Sequence, residues 1–338
     1  MGRRNCPVEG VVTVAYWADK RVLVTGATGL VGSWVTRRLV AEGTYVACLV
    51  RDPDPQSELF RSGLVAKTTV VAGRLEDYNA IERAVNEHEI DTVFHLGAQT
   101  IVGTAKRSPM QTLEANVQGT WNVLEAARVH SDLVQRVVVA SSDKAYGEKA
   151  DLPYTEDMSL TGRAPYEVSK SCTDLITTSY ALSYGVPAAI ARCGNIYGGG
   201  DLNWSRIVPG TLRSLVRGEQ PVLRSDGSFL RDYVFVEDVV NAYLKVAEAL
   251  GDAVSPGDAY NFSDESPLTV MDIYRATCAA FGTPDVEPAV LGQARDEIKD
   301  QYLDASRARA DLGWSVQFGL EAGLRKTVDW YRTYFASV

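Results

Sequence analysis

The chain has 338 residues, room for one large domain or two modest ones with an ample core. A formal net charge of −9 argues against a nucleic acid or an acidic membrane surface as partner, while a local basic pocket stays open. Five scattered cysteines without a CxxC pair and three histidines support neither a disulfide framework nor a metal site, which points to a reducing cytoplasm.

Residues 1–20 carry two arginines and a short apolar patch, as a signal peptide would. Glu9 precedes the patch, however, and no small-residue cleavage site follows it. The segment is read as an N-terminal extension without an assigned role, expected to be poorly ordered. No apolar stretch approaches the ~20 residues that a bilayer span needs.

From Arg21 onward, short β-branched runs alternate with amphipathic stretches. The runs are RVLVTG, TYVACLV, KTTVVAG, DTVFHLG, QRVVVAS and PAAIARC; residues 32–41, 80–88 and 110–129 have helical periodicity. This alternation predicts βαβ units, hence an α/β Rossmann-type doubly wound parallel sheet over residues 21–194. The glycine-rich GNIYGGGD breaks the pattern, RDYVFVEDVVNAYLKVAEAL restores it, and the tail from Pro267 mixes helices with loops. Residues 232–255 are therefore assigned back to the first domain. Residues 195–231 and 256–338 are expected to form a smaller, interleaved α/β substrate domain. Glu237 and Asp238 stand where acidic side chains favour a helix N-terminus.

The first strand runs into TGATGLVG, which spaces Gly26, Gly29 and Gly32 as GxxGxxG at the mouth of a helix. Such a loop turns tightly, admits a pyrophosphate close to the backbone and points helix N–H groups at it. A lone glycine triplet is weak evidence, but its place between a first strand and a first helix is specific. Thr28, Leu30 and Val31 share this cradle. At the end of the second strand, Asp52 would hold a ribose 2′-hydroxyl and Arg51 would accept a 2′-phosphate. NAD is the preferred reading and NADP stays open.

PYEVSKS places Tyr166 and Lys170 at i and i+4 on one helix face. A phenol near pKa ~10 is a poor base at neutral pH unless neighbouring positive charge favours the phenolate. Ser142, one strand earlier, can share the proton. His95 reads as a packed strand residue, Asn116 as the anchor of its own helix, and nothing makes Cys193 a nucleophile.

Here the chain resembles the extended short-chain dehydrogenase/reductase family of nucleotide-sugar epimerases and dehydratases. The resemblance runs from Arg21 to Trp314 on TGATGLVG, HLGAQ, NVQGTWNVLEAAR, SSDKAYG, YEVSK, RCGNIYGGGD and RDYVFVEDV. It implies a tightly held NAD, a Ser142/Tyr166/Lys170 catalytic set, a nucleoside-diphosphate sugar in the interdomain cleft and a homodimer. It extends the cofactor contacts to Arg74, Leu75, Leu96, Gly97, Ala98, Gln99 and Cys193. On the substrate side it implies Gln99, Asn195, Arg206, Val208, Arg231 and Arg295, with the arginines toward the diphosphate.

Within the family the residues after the catalytic serine sort the chemistry. Ser142-Asp143-Lys144 is similar to the 4,6-dehydratases, and its Asp-Lys form to CDP-glucose 4,6-dehydratases and C5-inverting UDP-N-acetylglucosamine dehydratases. GSW, SELF and HLGAQTIV add to the CDP-glucose likeness, whereas FLRDYVFVEDV looks like the general epimerase and dTDP-sugar pattern. Arg74 stands where the family commonly has an aspartate near the adenine. A dehydratase needs an acid for O6 and a base for C5, roles assigned to Asp143 and Lys144, although Lys144 could instead only contact a substrate hydroxyl. The alternatives are an NDP-sugar 4-epimerase and a non-catalytic dinucleotide sensor, which would have no use for a proton relay.

Overall fold

The structure is a computed structural model that describes residues 16–293 and 297–337. Six strands follow the β-branched runs: β1 (Arg21–Thr25), β2 (Tyr45–Val50), β3 (Thr69–Ala72), β4 (Thr92–His95), β5 (Arg136–Ser142) and β6 (Ala188–Cys193). A seventh, Ala259–Phe262, joins the same sheet beside β6. The order is Ala259–Phe262, β6, β5, β4, β1, β2, β3, and every pairing is parallel. The sequence reading had grouped this last strand with the substrate domain.

A parallel sheet is covered on both faces, and alternation along each strand supplies both. Val22, Val24, Phe94 and Val138 face one core, shared with helix α1 (Leu30–Ala41) and the helix Val236–Ala249. Leu23, Val93, Val137 and Val139 face the other, beneath Tyr78–Glu87 and Gly119–Val129. From β1 the chain moves outward through β2 and β3, then returns to β4 and runs the other way. The carboxyl ends of β1 and β4 therefore flank a topological switch point, where open α/β sheets bind ligands.

Two local findings refine the sequence reading. Residues 1–15 lie outside the described part, but Trp17 belongs to the core, with its ring 5.8 Å from Phe94 and its Nε1 donating to Glu248 Oε1 at 2.6 Å. Asp238 does stand in the first turn of its helix, yet its carboxylate accepts from Gln317 N (2.7 Å) and Phe318 N (3.2 Å), tying the helix to the tail.

Apart from Ala259–Phe262, the strands beyond β6 shorten to two or three residues. Asn195–Tyr197 pairs with Tyr233–Phe235, and Leu230–Arg231 lies between Leu268–Thr269 and Asp300–Gln301. Around them Ile207–Val216, Val270–Phe281 and Leu320–Ala336 enclose a third core containing Tyr197, Phe235 and Tyr331. No helix among the described residues is long and apolar enough to cross a membrane.

Candidate active site

A cavity of about 1210 Å³ opens over the switch point and continues into the lobe built by the later residues. One such volume exceeds the range of ~300–1,000 Å³ usual for a single small ligand. Its lining draws on both parts of the chain, Arg51 and Arg224 among them.

The glycine loop forms the floor at the β1 end. Gly26 has φ 72°, and a Cβ there would stand 2.7 Å from the backbone of Gly97. A Cβ on Gly32 would stand 2.1 Å from Gly26 O, so loop and α1 can meet only through glycine. Gly29 begins α1 without a side-chain cap, which leaves its first N–H groups for an anion. Thr28, Leu30 and Val31 line the cavity beside it. Opposite, Thr25 Oγ1 accepts from Leu96 N (3.1 Å) and Gly97 N (3.0 Å), fixing the loop Leu96, Gly97, Ala98, Gln99 as the second wall. These features fit a dinucleotide, since a cradle with no room for a Cβ and uncapped amides suits a pyrophosphate.

Arg51 and Asp52 both line the cavity mouth and pair with each other, Nε to Oδ2 at 2.6 Å. Leu75 lines it as well. Arg74 does not: it is exposed, and the cavity wall there is formed by Gly73, Leu75 and Glu76.

At the centre β5 ends in Ser142, whose backbone pairs with Cys193 of β6. Ser142 caps the short helical turn Asp143–Tyr146 by accepting from Lys144 N at 3.3 Å, and its hydroxyl donates to Asp143 Oδ1 at 2.7 Å. Asp143 is 2% exposed, and its Oδ2 has no hydrogen-bond partner among the described residues. Lys144 Nζ donates to Gln301 Oε1 at 2.9 Å. Burial, then Arg231, lowers the Lys144 pKa, while Asp143, Glu297 and Glu167 oppose that shift. The charge that joins burial in lowering it is that of Arg231.

Tyr166 and Lys170 face the same space from the helix Pro165–Tyr184. Burial pushes the Tyr166 phenol up to about 12, opposed chiefly by Arg206, with Asp143 adding to the rise and a hydrogen bond with Ser142 lowering it. The protein by itself thus leaves Tyr166 protonated at neutral pH. Lys170 Nζ donates to Ala140 O at 2.7 Å, and burial brings its amine down to about 8, opposed by Asp174. Asp174 in turn accepts from Ser141 Oγ (3.0 Å) and Arg192 Nε (3.1 Å).

Behind these residues a relay fixes the scaffold. Thr25 Oγ1 already accepts two amides, so its proton goes to His95 Nδ1 at 2.9 Å. His95 Nε2–H then donates to Thr120 Oγ1 (3.2 Å), which donates to Asn116 O (2.5 Å). Burial, with Lys170 nearby, brings His95 down to about 3, so it is neutral and structural, as its strand position suggested. Asn116 sits in a π-helical turn, Glu114–Gln118; its side chain accepts from Gln99 N (2.6 Å) and donates to Gln99 O (3.1 Å) and Ser169 Oγ (2.9 Å). It binds the cofactor-side loop to the catalytic helix. Cys193 lines the cavity with its thiol pushed up to about 12 by burial, which suits a wall and not a nucleophile.

On the substrate side Asn195 and Val208 line the cavity as expected. Arg206 lines it too, and pairs with Asp201 Oδ2 at 3.0 Å. Arg231 also lines the cavity; its Nη1 donates to Leu230 O and Lys299 O (both 2.7 Å) and its Nη2 to Ile298 O (2.5 Å), which fixes the guanidinium and leaves Nε–H and one Nη2–H uncommitted among these bonds. Arg295 lies outside the described residues. The residues missed from sequence are Gln301 and Asp201. Asp201 could have been found, since it closes GGGD five residues before Arg206; Gln301 has no such local signal.

A parallel sheet in this order, a glycine cradle at its switch point and a Ser/Tyr/Lys set beside it define a nicotinamide-dinucleotide enzyme of the short-chain dehydrogenase/reductase type. The chain belongs to the NAD dependent epimerase/dehydratase family, whose model matches residues 22–262. It is 30% identical over 337 residues to the CDP-glucose 4,6-dehydratase of Salmonella typhimurium, covering 94% of this chain and 92% of that protein. Among solved structures, a UDP-glucose 4-epimerase of Thermotoga maritima with UDP-glucose superposes with TM-score 0.85 at 27% identity, covering 93% of this chain and 99% of the other. A dTDP-glucose 4,6-dehydratase of Streptomyces venezuelae with NAD bound gives 0.83 at 26% identity, covering 93% and 97%. The cofactor is NAD.

Proposed function

We propose that the protein is a lyase, a nucleoside-diphosphate-sugar 4,6-dehydratase that turns an NDP-hexose into the NDP-4-keto-6-deoxy sugar. A CDP-glucose-like substrate is favoured, with UDP- and dTDP-hexoses as the other candidates. The observation that carries this reading is the Asp143–Lys144 pair at the rim of β5, both lining the cavity, with Asp143 Oδ2 buried and unpartnered among the described residues. A 4-epimerase has no need of an acid beside C6. A dehydratase does.

In this reading Tyr166 takes the proton of the sugar 4-hydroxyl, and Ser142 steadies the same oxygen. Bound NAD accepts the C4 hydrogen as hydride, later returns it at C6, and favours the Tyr166 phenolate by its positive ring. With a ketone at C4 the C5 proton is acidic, and Lys144, its amine driven toward the neutral form by burial, removes it. Asp143 in its protonated form gives that proton to O6, the C6–O6 bond breaks and water leaves. Lys144 and Asp143 thus do opposite work on adjacent carbons. Gln99 and Asn195 line the cavity within the reach of such a sugar, and Arg206 offers a cation for the diphosphate.

The second reading is an NDP-sugar 4-epimerase, favoured by the overall likeness to the Thermotoga enzyme. Incubation with CDP-, dTDP-, UDP- and GDP-hexoses separates the two. A 4-keto-6-deoxy product, seen by its alkaline absorbance, supports dehydration; a C4 epimer that keeps its 6-hydroxyl contradicts it.

The proposal includes a cytoplasmic homodimer. Exposed Met110, Trp121, Leu175, Leu182 and Tyr184 on the helices Pro109–Leu113, Gly119–Val129 and Pro165–Tyr184 support it, as do unpaired cysteines at 48, 172, 193 and 278.

A further inference from the structure

Gln301 reaches the rim of β5 from 157 residues away, and the surroundings hold it firmly. It ends the strand Asp300–Gln301, in parallel register with Arg231. Just before it, the Arg231 guanidinium grips the carbonyls of Ile298 and Lys299. Just after it, Tyr154 N donates to Tyr302 O (2.9 Å) and Leu303 N to Asp232 Oδ2 (2.6 Å). The side chain is fully buried, and its one hydrogen bond among the described residues is that to Lys144, since Nε2 has no partner. A buried amide that satisfies only one of its groups costs stability. An aliphatic residue of the same size would fold more cheaply, so stability does not explain a glutamine here.

We infer that Gln301 is a positioning residue for Lys144: its carboxamide oxygen anchors the amine beside Asp143 without supplying a charge. The inference rests on Lys144 acting as the C5 base. A base must keep its lone pair free and aimed, and accepting one N–H at a fixed point leaves the rest of the amine directed by the lysine stem. The neutrality of the anchor matters equally. The charges already acting on Lys144 are Asp143 on its own turn, Glu167 on the catalytic helix, Arg231 on the neighbouring strand and Glu297 on the segment leading to Gln301. Three of the four are carboxylates, which favour the ammonium. A fourth carboxylate in place of the amide would hold the amine protonated, whereas the carboxamide accepts from the ammonium and the free amine alike.

The test compares wild-type protein, Gln301→Glu and Gln301→Met in the NAD-loaded enzyme, measuring the pH dependence of kcat for release of 4-keto-6-deoxy product, with thermal unfolding alongside. Gln301→Glu should fold and move the low-pH limb of kcat upward by roughly one pH unit or more, with the rate recovering at high pH. Gln301→Met, isosteric and uncharged, should lower kcat roughly tenfold or more at every pH while KM changes little. If both variants fold and their profiles superimpose on the wild type, the inference is overturned. If Gln301→Glu fails to fold, Gln301→Met decides: unchanged kcat overturns the inference and a pH-independent loss supports it. A wild-type enzyme that forms no 4-keto-6-deoxy product from any of the four nucleotide hexoses instead overturns the dehydratase reading, and this inference with it.

Discussion

Replacing Asp143 by asparagine isolates the acid at O6 from everything else that Asp143 does. The amide oxygen can still accept from Ser142 Oγ, as Oδ1 does at 2.7 Å. The other oxygen makes no hydrogen bond among the described residues, so an NH2 group there breaks none of them. Electrostatics strengthens the test. An ionised Asp143 raises the pKa of Lys144 and of Tyr166 and the neutral amide cannot, so the substitution leaves Lys144 at least as easy to keep neutral and Tyr166 at least as easy to ionise. Both bases are therefore at least as competent in Asp143→Asn, and a lost rate belongs to the missing acid. General acid catalysis is worth roughly 10²–10⁴-fold. The variant should accordingly lose about 3–5 kcal/mol of transition-state stabilisation. Two assays run together, release of the 4-keto-6-deoxy sugar and solvent deuterium at C5 of recovered substrate, read by NMR. The expected result is slow dehydration with exchange at C5 retained. Dehydration at the wild-type rate would refute the assignment, and so would loss of C5 exchange together with elimination.

Three further outcomes follow from the geometry. Tyr166→Phe should reduce product formation by roughly 10²–10⁴-fold with the binding of the nucleotide sugar largely kept, as calorimetry would report; near-normal turnover would remove Tyr166 from its role as base. Gly26→Ala must adopt φ 72° and put a Cβ 2.7 Å from Gly97, costing about 1–2 kcal/mol for the left-handed backbone and about 1–3 kcal/mol for overcrowding. A lower Tm and weaker NAD binding by titration calorimetry are expected, and an unchanged pair of values would contradict the cradle. Asp232 is pushed up to about 7 by burial from an ordinary 3.8, so the native protein keeps a proton that the unfolded chain gives up. The stability it contributes is complete below its unfolded value and is lost as pH rises through about 7, by at most ~4 kcal/mol. Asp232→Asn should flatten that fall in denaturant unfolding, and an equal slope in both proteins would count against it.

Much of this was legible in the sequence because the determinants are local. The β-branched runs mark β1 to β6 to within a residue or two, and alternation along them is enough to build both faces of the sheet. The glycine cradle and the i, i+4 spacing of Tyr166 and Lys170 are short-range patterns as well. What escaped depends on distant pairings. Ala259–Phe262 is a four-residue strand whose neighbour lies some 70 positions earlier, and its own composition is too brief to show periodicity. The carbonyls that hold the Arg231 guanidinium, 67 and 68 residues away, are likewise invisible in its local sequence. Trp17 stood in an unpromising leader-like segment, and only the space beside Phe94 and Glu248 explains its burial. The Tyr166 phenol shows the same limit, since its desolvation is set by the fold around it.

The central claim, that the redox step serves dehydration and not inversion at C4, is tested most directly by following one hydrogen. An NDP-hexose carrying deuterium at C4 is incubated with the NAD-loaded enzyme and the product is read by NMR. Dehydration predicts a 4-keto-6-deoxy sugar with the deuterium in its C6 methyl group. A sugar that retains both its 6-hydroxyl and its deuterium at C4, with the configuration at C4 inverted, would contradict the account.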